Sequence, residues 1–314
     1  MDALLRFALD STRVSPATNE LRAWWDATAA LRDAWTAPFD RALAGGACAD
    51  RLGFAFACGY AEALRALAPD LPAGSISALC ATEESGVHPR AIRTRLAPVG
   101  PGRYEITGHK KWATVATAAS SLLVVVSAGE EDGRNRLRVV RVRADAPGVR
   151  LIPATTPFVP EIPHAEVALD AVAATDADLL PGDGYDAYLK PFRTIEDIHV
   201  HGALAGYLLG VARRRRFAHE LQEQLLALAI ATQGLSRADP RADTTHVALA
   251  GVIELARRLV AELEAVWAAV PDDEWRRWQR DRPLLKVAGA ARAARRERAW
   301  SMLDGDALSA PRRP

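Results

Sequence analysis

Glu196 and His199, a carboxylate and an imidazole three residues apart, are a pair whose types and spacing invite chemistry. The surrounding run, EDIHVHGALAG, is patterned as a helix on which Glu196 shares a stripe with Val200, Ala203, Leu204 and Tyr207. Apolar company disfavours the ionised carboxyl and raises its proton affinity, which suits a general base. Two plainer roles stand beside that one: a helix-start Glu facing exposed amides, or a partner of Arg193. Glu-x-x-His is also an element that di-iron bundles use twice. Only one copy lies in a helical pattern, since Glu161-Ile162-Pro163-His164 falls in the stretch read as β, and His88, His109, His164, His201, His219 and His246 show no convincing ligand spacing, so no metal site is expected. Cys48, Cys58 and Cys80 are scattered and without CxxC spacing. That argues against a disulfide framework or a zinc site and for reduced, partly buried thiols.

The elements that must carry these residues fall into three blocks, giving a multidomain α+β chain. Residues 1–76 form an N-terminal helical block: Leu21, Trp24, Trp25, Leu31 and Trp35 fall at helical spacing, and 50–66 is a second, Ala-rich run. Gly45 and Gly46 are expected to separate the two. Pro69, Pro72, Gly74 and Ser75 then break the pattern. Residues 77–178 are expected to be a compact, mostly antiparallel β domain, with strands near 104–107, 122–127, 137–142, 149–152 and 165–169. The unbroken run 122–126 calls for burial on both faces. Helical spacing returns over 179–304 as a C-terminal bundle, and 305–314 is expected to be a loose tail.

Forty Lys and Arg balance 39 Asp and Glu, leaving no whole-molecule field to gather nucleic acid or an anionic membrane. The basic runs 213–216 and 292–298 lie in helical patterns, where a solvated face or a partner contact is the ordinary reading. The apolar run 121–128 is too short to span a bilayer as a helix, and 1–14 does not have the build of a signal peptide. A cytoplasmic protein is expected, with neither membrane nor nucleic acid among its partners.

Two stretches carry more specific information. Residues 79–94 read LCATEESGVHPRAIRT and 104–114 read YEITGHKKWAT. In order and separation they resemble the signature motifs of acyl-CoA dehydrogenases, Thr-Glu-Pro with downstream glycines and Gly-x-Lys-x-Trp-Ile-Thr. The chain is similar to a shortened, divergent member of that family, whose helix/β/helix order agrees with the blocks above. The resemblance implies FAD. An isoalloxazine ring needs an aromatic wall and hydrogen-bond partners at its polar edge. The resemblance places Trp112, Ala113 and Thr114 at the ring, Thr82 at the pyrimidine edge, and Leu79, Ala81 and Gly86 along the backbone that holds edge and phosphates. Where relatives meet cofactor phosphate with Ser, this chain has Val87.

The resemblance further implies α,β-dehydrogenation of an acyl thioester, of coenzyme A or of a carrier protein, with the electron acceptor undetermined. Some relatives carry the catalytic Glu in the first C-terminal helix before a run of small residues, which here makes Glu196 the base; Asp197 stands where those relatives have Arg. A homo-oligomer, a dimer before a tetramer, is expected, with the apolar helix 247–266 at its interface. Two alternatives carry the same fold. One is a degenerate scaffold that has lost its cofactor, suggested by Val87 and by the absence of an Arg-x-x-Phe-Gly stretch. The other is a flavin N-oxygenase, which needs no α-proton base.

Overall fold

The computed structural model describes residues 1–309 apart from Ser11, Arg13, Val14, Ala73 and Val87. Along the chain run α1 (Asp2–Leu9), α2 (Leu21–Ala27), α3 (Ala29–Asp33), α4 (Pro38–Cys48) and α5 (Leu52–Leu67). The strands follow: β1 (Ser77–Cys80), β2 (Arg95–Gly100), β3 (Arg103–Thr114), β4 (Ser121–Glu131), β5 (Arg134–Arg143), β6 (Val149–Ala154) and β7 (His164–Thr175). Then come α6 (Lys190–Arg214), α7 (His219–Leu235), α8 (Asp243–Trp267), α9 (Asp273–Asp281) and α10 (Gly289–Ser309). None of the helices described is long and apolar enough to cross a membrane. Two compact units result: one of Met1–Ala17, Ala30–Ala63 and Thr194–Pro314, the other of Thr18–Ala29 and Leu64–Arg193.

The sheet unit is built on one seven-stranded sheet in the order β1-β4-β2-β3-β7-β6, with β5 along the other edge of β4. β1 and β2 pair with β4 in parallel, while the remaining pairs are antiparallel. The apolar run 122–126 of β4 is fully buried, as a strand covered on both faces must be. On β5 the inward phase slips, so Val139 and Val140 are both buried. Trp25 of α2 belongs to this unit: its indole N–H donates to the Gly74 carbonyl at 3.0 Å, and the Arg65 guanidinium lies 5.9 Å from its ring centre. Arg65 also donates to the Ser75 carbonyl at 2.6 Å, which fixes the bend before β1.

In the helical unit, Gly45 and Gly46 do not separate helices; both lie inside α4. A Cβ on Gly46 would collide with the Ala203 carbonyl oxygen of α6, and one on Gly206 would collide with the Leu43 oxygen. These glycines therefore let the backbones of α4 and α6 touch. In its second half α6 is buried almost all round, through Leu204, Tyr207, Leu208 and Val211, as a central helix should be. The basic run at its end is engaged internally. Arg213 donates to the Leu9 carbonyl, Arg214 pairs with Glu274, and Arg215 pairs with Asp272 and Glu274. α10 continues through Gly305 to Ser309, so the residues read as the start of a tail are helical as far as they are described.

Candidate functional site

The geometry of the sheet unit turns on a slip in β3. Ile106 and Lys110 face inward and are fully buried, and Gly108 is pressed against Thr94, where a Cβ would meet the hydroxyl at 2.5 Å. Strict alternation would send Trp112 inward next. Instead Ala113 is the buried residue, and the register against β7 shifts between Lys110 and Ala113. Two residues thus lie between consecutive inward positions, the arrangement of a bulge. Trp112 is the residue thrown outward: 60% exposed, with φ of 55°. A large aromatic in the left-handed region is uncommon and costs about 1–3 kcal/mol, which the surrounding pairing must hold.

Thr82 lies two residues past the end of β1, and its carbonyl accepts the Lys111 amide at 2.8 Å. That bond joins the two motif stretches. Thr82 is half-buried; Thr114, half-buried as well, pairs with His164 of β7. Gly86 closes a tight turn with Glu83, each amide donating to the other's carbonyl at 2.9–3.0 Å, and its φ of 102° suits glycine. Leu79, Ala81 and Ala113 are buried, so a contact from them to a bound group would be through backbone rather than side chain. The position of Val87 lies outside the described residues.

Behind this surface sits a charged pair that motif reading leaves without a role. Lys110 donates to Glu83 Oε1 at 2.6 Å, and the same oxygen accepts the Thr94 amide at 3.0 Å and its hydroxyl at 2.8 Å. Glu83 Oε2 accepts the Arg93 amide at 2.7 Å. Burial pushes the Glu83 carboxyl up, but Lys110 and the backbone amides outweigh it and hold it below the usual range. Burial pulls the Lys110 ammonium down, with Glu83 opposing only in part. The Cys80 thiol nearby is pushed up to about 12 by burial, which leaves it protonated and unreactive at neutral pH. The signal in the sequence is indirect: a buried strand position filled by Lys demands a carboxylate partner.

On the outer side of β3, His109 pairs with Glu166 at 3.1 Å and Lys111 with Glu84 at 3.1 Å. This face is charged and partly exposed, in contrast to the pinned pair beneath.

Glu196 belongs to the helical unit, six residues past the start of α6 at Lys190, and is half-buried. It lies beyond the first turn, so the role of stabilising exposed helix-start amides does not apply to it. Its stripe partners Ala203, Leu204 and Tyr207 are buried. Asp197, the neighbour that departs from the family pattern, is buried and held by Arg292 at 2.7 Å and Arg295 at 2.5 Å, both from α10. Burial pushes the Asp197 carboxyl up, and these arginines more than reverse it, so it stays ionised. His199 and His201 are buried, and Nδ1 of each meets the carbonyl four residues back, at 2.7 and 2.6 Å. A carbonyl only accepts, so Nδ1 is the protonated nitrogen. Burial pulls His199 down to about 4. Among the described residues, no group of three or more His, Cys, Asp or Glu is placed to hold a metal ion.

The sequence matches neither a known protein family nor a curated protein. Solved structures do match. Butyryl-CoA dehydrogenase from Megasphaera elsdenii superposes with a TM-score of 0.72 at 14% identity, over 98% of this chain and 98% of that one. The prolyl acyl carrier protein oxidase AnaB gives 0.68 at 14% identity, over 96% and 97%. FMN-bound TdsC from Paenibacillus sp. A11-2 gives 0.70 at 15% identity, over 93% and 95%. The chain therefore has the acyl-CoA dehydrogenase fold, with N-terminal helices, a central β domain and C-terminal helices in that order.

Proposed function

We propose that this protein is a flavin-dependent oxidoreductase of acyl-CoA dehydrogenase type, which removes hydrogen from the α and β carbons of an acyl thioester. The observation that carries the reading is Trp112, a large aromatic held outward on a strained backbone and fastened next to Thr82. Strain retained at an exposed aromatic fits a ligand wall better than a packing role. Solved neighbours described as FMN-bound, as an FAD-dependent dehydrogenase and as a butyryl-CoA dehydrogenase support a flavin cofactor. FAD is the form proposed, and a bound flavin supplies the hydride acceptor.

Trp112 then packs on the ring face, Thr114 and Thr82 meet its polar edge, and the backbone of Leu79, Ala81 and Gly86 serves the rest of the cofactor. Ala113 contributes its amide and carbonyl only. Glu196 acts as the base: its carboxylate takes the α proton. The acyl group is carried on coenzyme A or on a carrier protein, as the names of two neighbours suggest. The reading includes a cytoplasmic homo-oligomer that uses the apolar α8 at its interface.

The absorption spectrum of the purified protein tests the cofactor, and stopped-flow bleaching by acyl thioesters tests the reaction. Glu196→Gln is expected to keep flavin binding and stability and to slow bleaching roughly a hundredfold or more, the scale of general-base loss. Bleaching of the variant at the wild-type rate would remove Glu196 from the mechanism. Flavin retained with no response to any acyl thioester would favour oxygen-using chemistry on the same scaffold. Failure to bind FAD or FMN would favour a scaffold protein.

A further inference from the structure

The Glu83–Lys110 pair touches the two segments assigned to the cofactor without facing a ligand itself. Lys110 is 0% exposed and Glu83 is buried, so neither is placed to contact a bound ring. Their positions in the chain are more telling. Glu83 directly follows Thr82, and Lys110 stands two residues before Trp112. Two fasteners join the segments there: the ion pair at 2.6 Å between side chains, and the Lys111 amide on the Thr82 carbonyl at 2.8 Å.

The pair also marks one end of the slip, with Ala113 against β7 at the other. An ammonium in a sheet interior is strongly unfavourable unless a carboxylate meets it, so Lys110 can face inward only where Glu83 waits. With Lys110 held inward, and Ala113 inward two positions past Lys111, the strand has one residue too many for alternation. The surplus appears as the left-handed, outward Trp112. Glu83 also gathers the Arg93 and Thr94 amides, so the loop leaving Thr82 is drawn to the same point.

We propose that Glu83 and Lys110 are positioning residues for the cofactor surface: their buried pairing fixes the bulge that presents Trp112 and sets Thr82 beside it. This rests on the flavin reading above for its functional consequence, though the positioning itself is a statement about the sheet. A purely structural pair would affect stability alone, whereas a positioning pair must act through Trp112.

The test is a double-mutant cycle on flavin affinity with Lys110→Met and Trp112→Ala in the full chain, titrated with FAD. Each single change is expected to weaken binding about tenfold, and the double change far less than the hundredfold product, because removing Trp112 removes what the pair positions. Effects that multiply, or full affinity in Lys110→Met, would overturn the proposal. Should Lys110→Met not fold, Glu83→Gln takes its place, since it conserves volume and keeps an oxygen for the Thr94 amide. Should the wild-type protein bind no flavin, the functional reading fails and hydrogen exchange decides the positioning. Faster exchange of the Lys111 amide in the variant, with β4 and β5 unchanged, would uphold it; unchanged Lys111 exchange would overturn it.

Discussion

Trp112 sits in a conformation that most side chains avoid, and its ring is largely exposed, so the folded chain gains little from having tryptophan there. Trp112→Gly is therefore expected to leave the thermal midpoint unchanged or raise it. Glycine removes a strain of about 1–3 kcal/mol and gives back up to about 1 kcal/mol as unfolded-chain entropy. The same change is expected to weaken flavin binding by about ten- to a hundredfold, from loss of the aromatic contact. Paired calorimetry and flavin titration check both arms; a large fall in stability would show the ring to be packing instead. The residue types at this surface were legible in the sequence, through the order and spacing of two short motifs. Their presentation was not. The outward Trp112 depends on which residue of β7 faces Ala113, and Lys110 and Glu83, though each belongs to one of those motifs, show no sign of being partners until the sheet buries them together. Asp197 is a similar case: its partners Arg292 and Arg295 lie nearly a hundred residues away, in a run that reads as a solvated basic face.

At the scale of elements, two glycines in a row look like a break between helices, yet Gly45 and Gly46 continue α4 because α6 leaves no room for a side chain. Gly46→Ala is expected to destabilise the protein by about 1–3 kcal/mol or more. Overpacking against a backbone carbonyl exceeds the gain of about 0.5–1 kcal/mol from helix propensity. Gly251→Ala makes the contrast, since Gly251 is exposed in α8 and a methyl there would have nothing within 4 Å, and it is expected to stabilise by about that propensity gain. Urea unfolding of both variants reads the difference in sign. Propensity and periodicity see an element alone, so they recover the buried β4 run and the long C-terminal helices. They miss what a neighbour imposes: the four-residue β1, the continuity of α4, and the persistence of α10 past Gly305.

Across the whole molecule, buried ionisable groups set the response to acid. His199 is held near 4 in the folded chain, below its ordinary value of about 6.5, so the unfolded chain takes up the proton first. Stability is then undiminished above about pH 6.5 and falls as pH drops from there towards 4, by on the order of a few kcal/mol. Glu83 and Asp197 are displaced downward too, but as carboxylates their contribution is lost only at lower pH, as each is protonated below its usual range. His199→Gln is expected to lessen the fall between pH 6.5 and 4.5, with His201 and His164, also pulled down by burial, carrying the remainder, and to leave the loss below that window; a urea midpoint series across that range reads both. The parallel pairing of β1 with β4 carries a different kind of consequence. Ser77 is matched to Ser121, 44 residues further on, and at roughly 5–20 residues per second a ribosome needs about two to nine seconds to deliver that partner. Lys110 meets a carboxylate made 27 residues earlier, so its charge finds a mate as soon as both segments emerge. The apolar β1 waits, and for those seconds the nascent chain offers an open strand edge of the kind that chaperones cover.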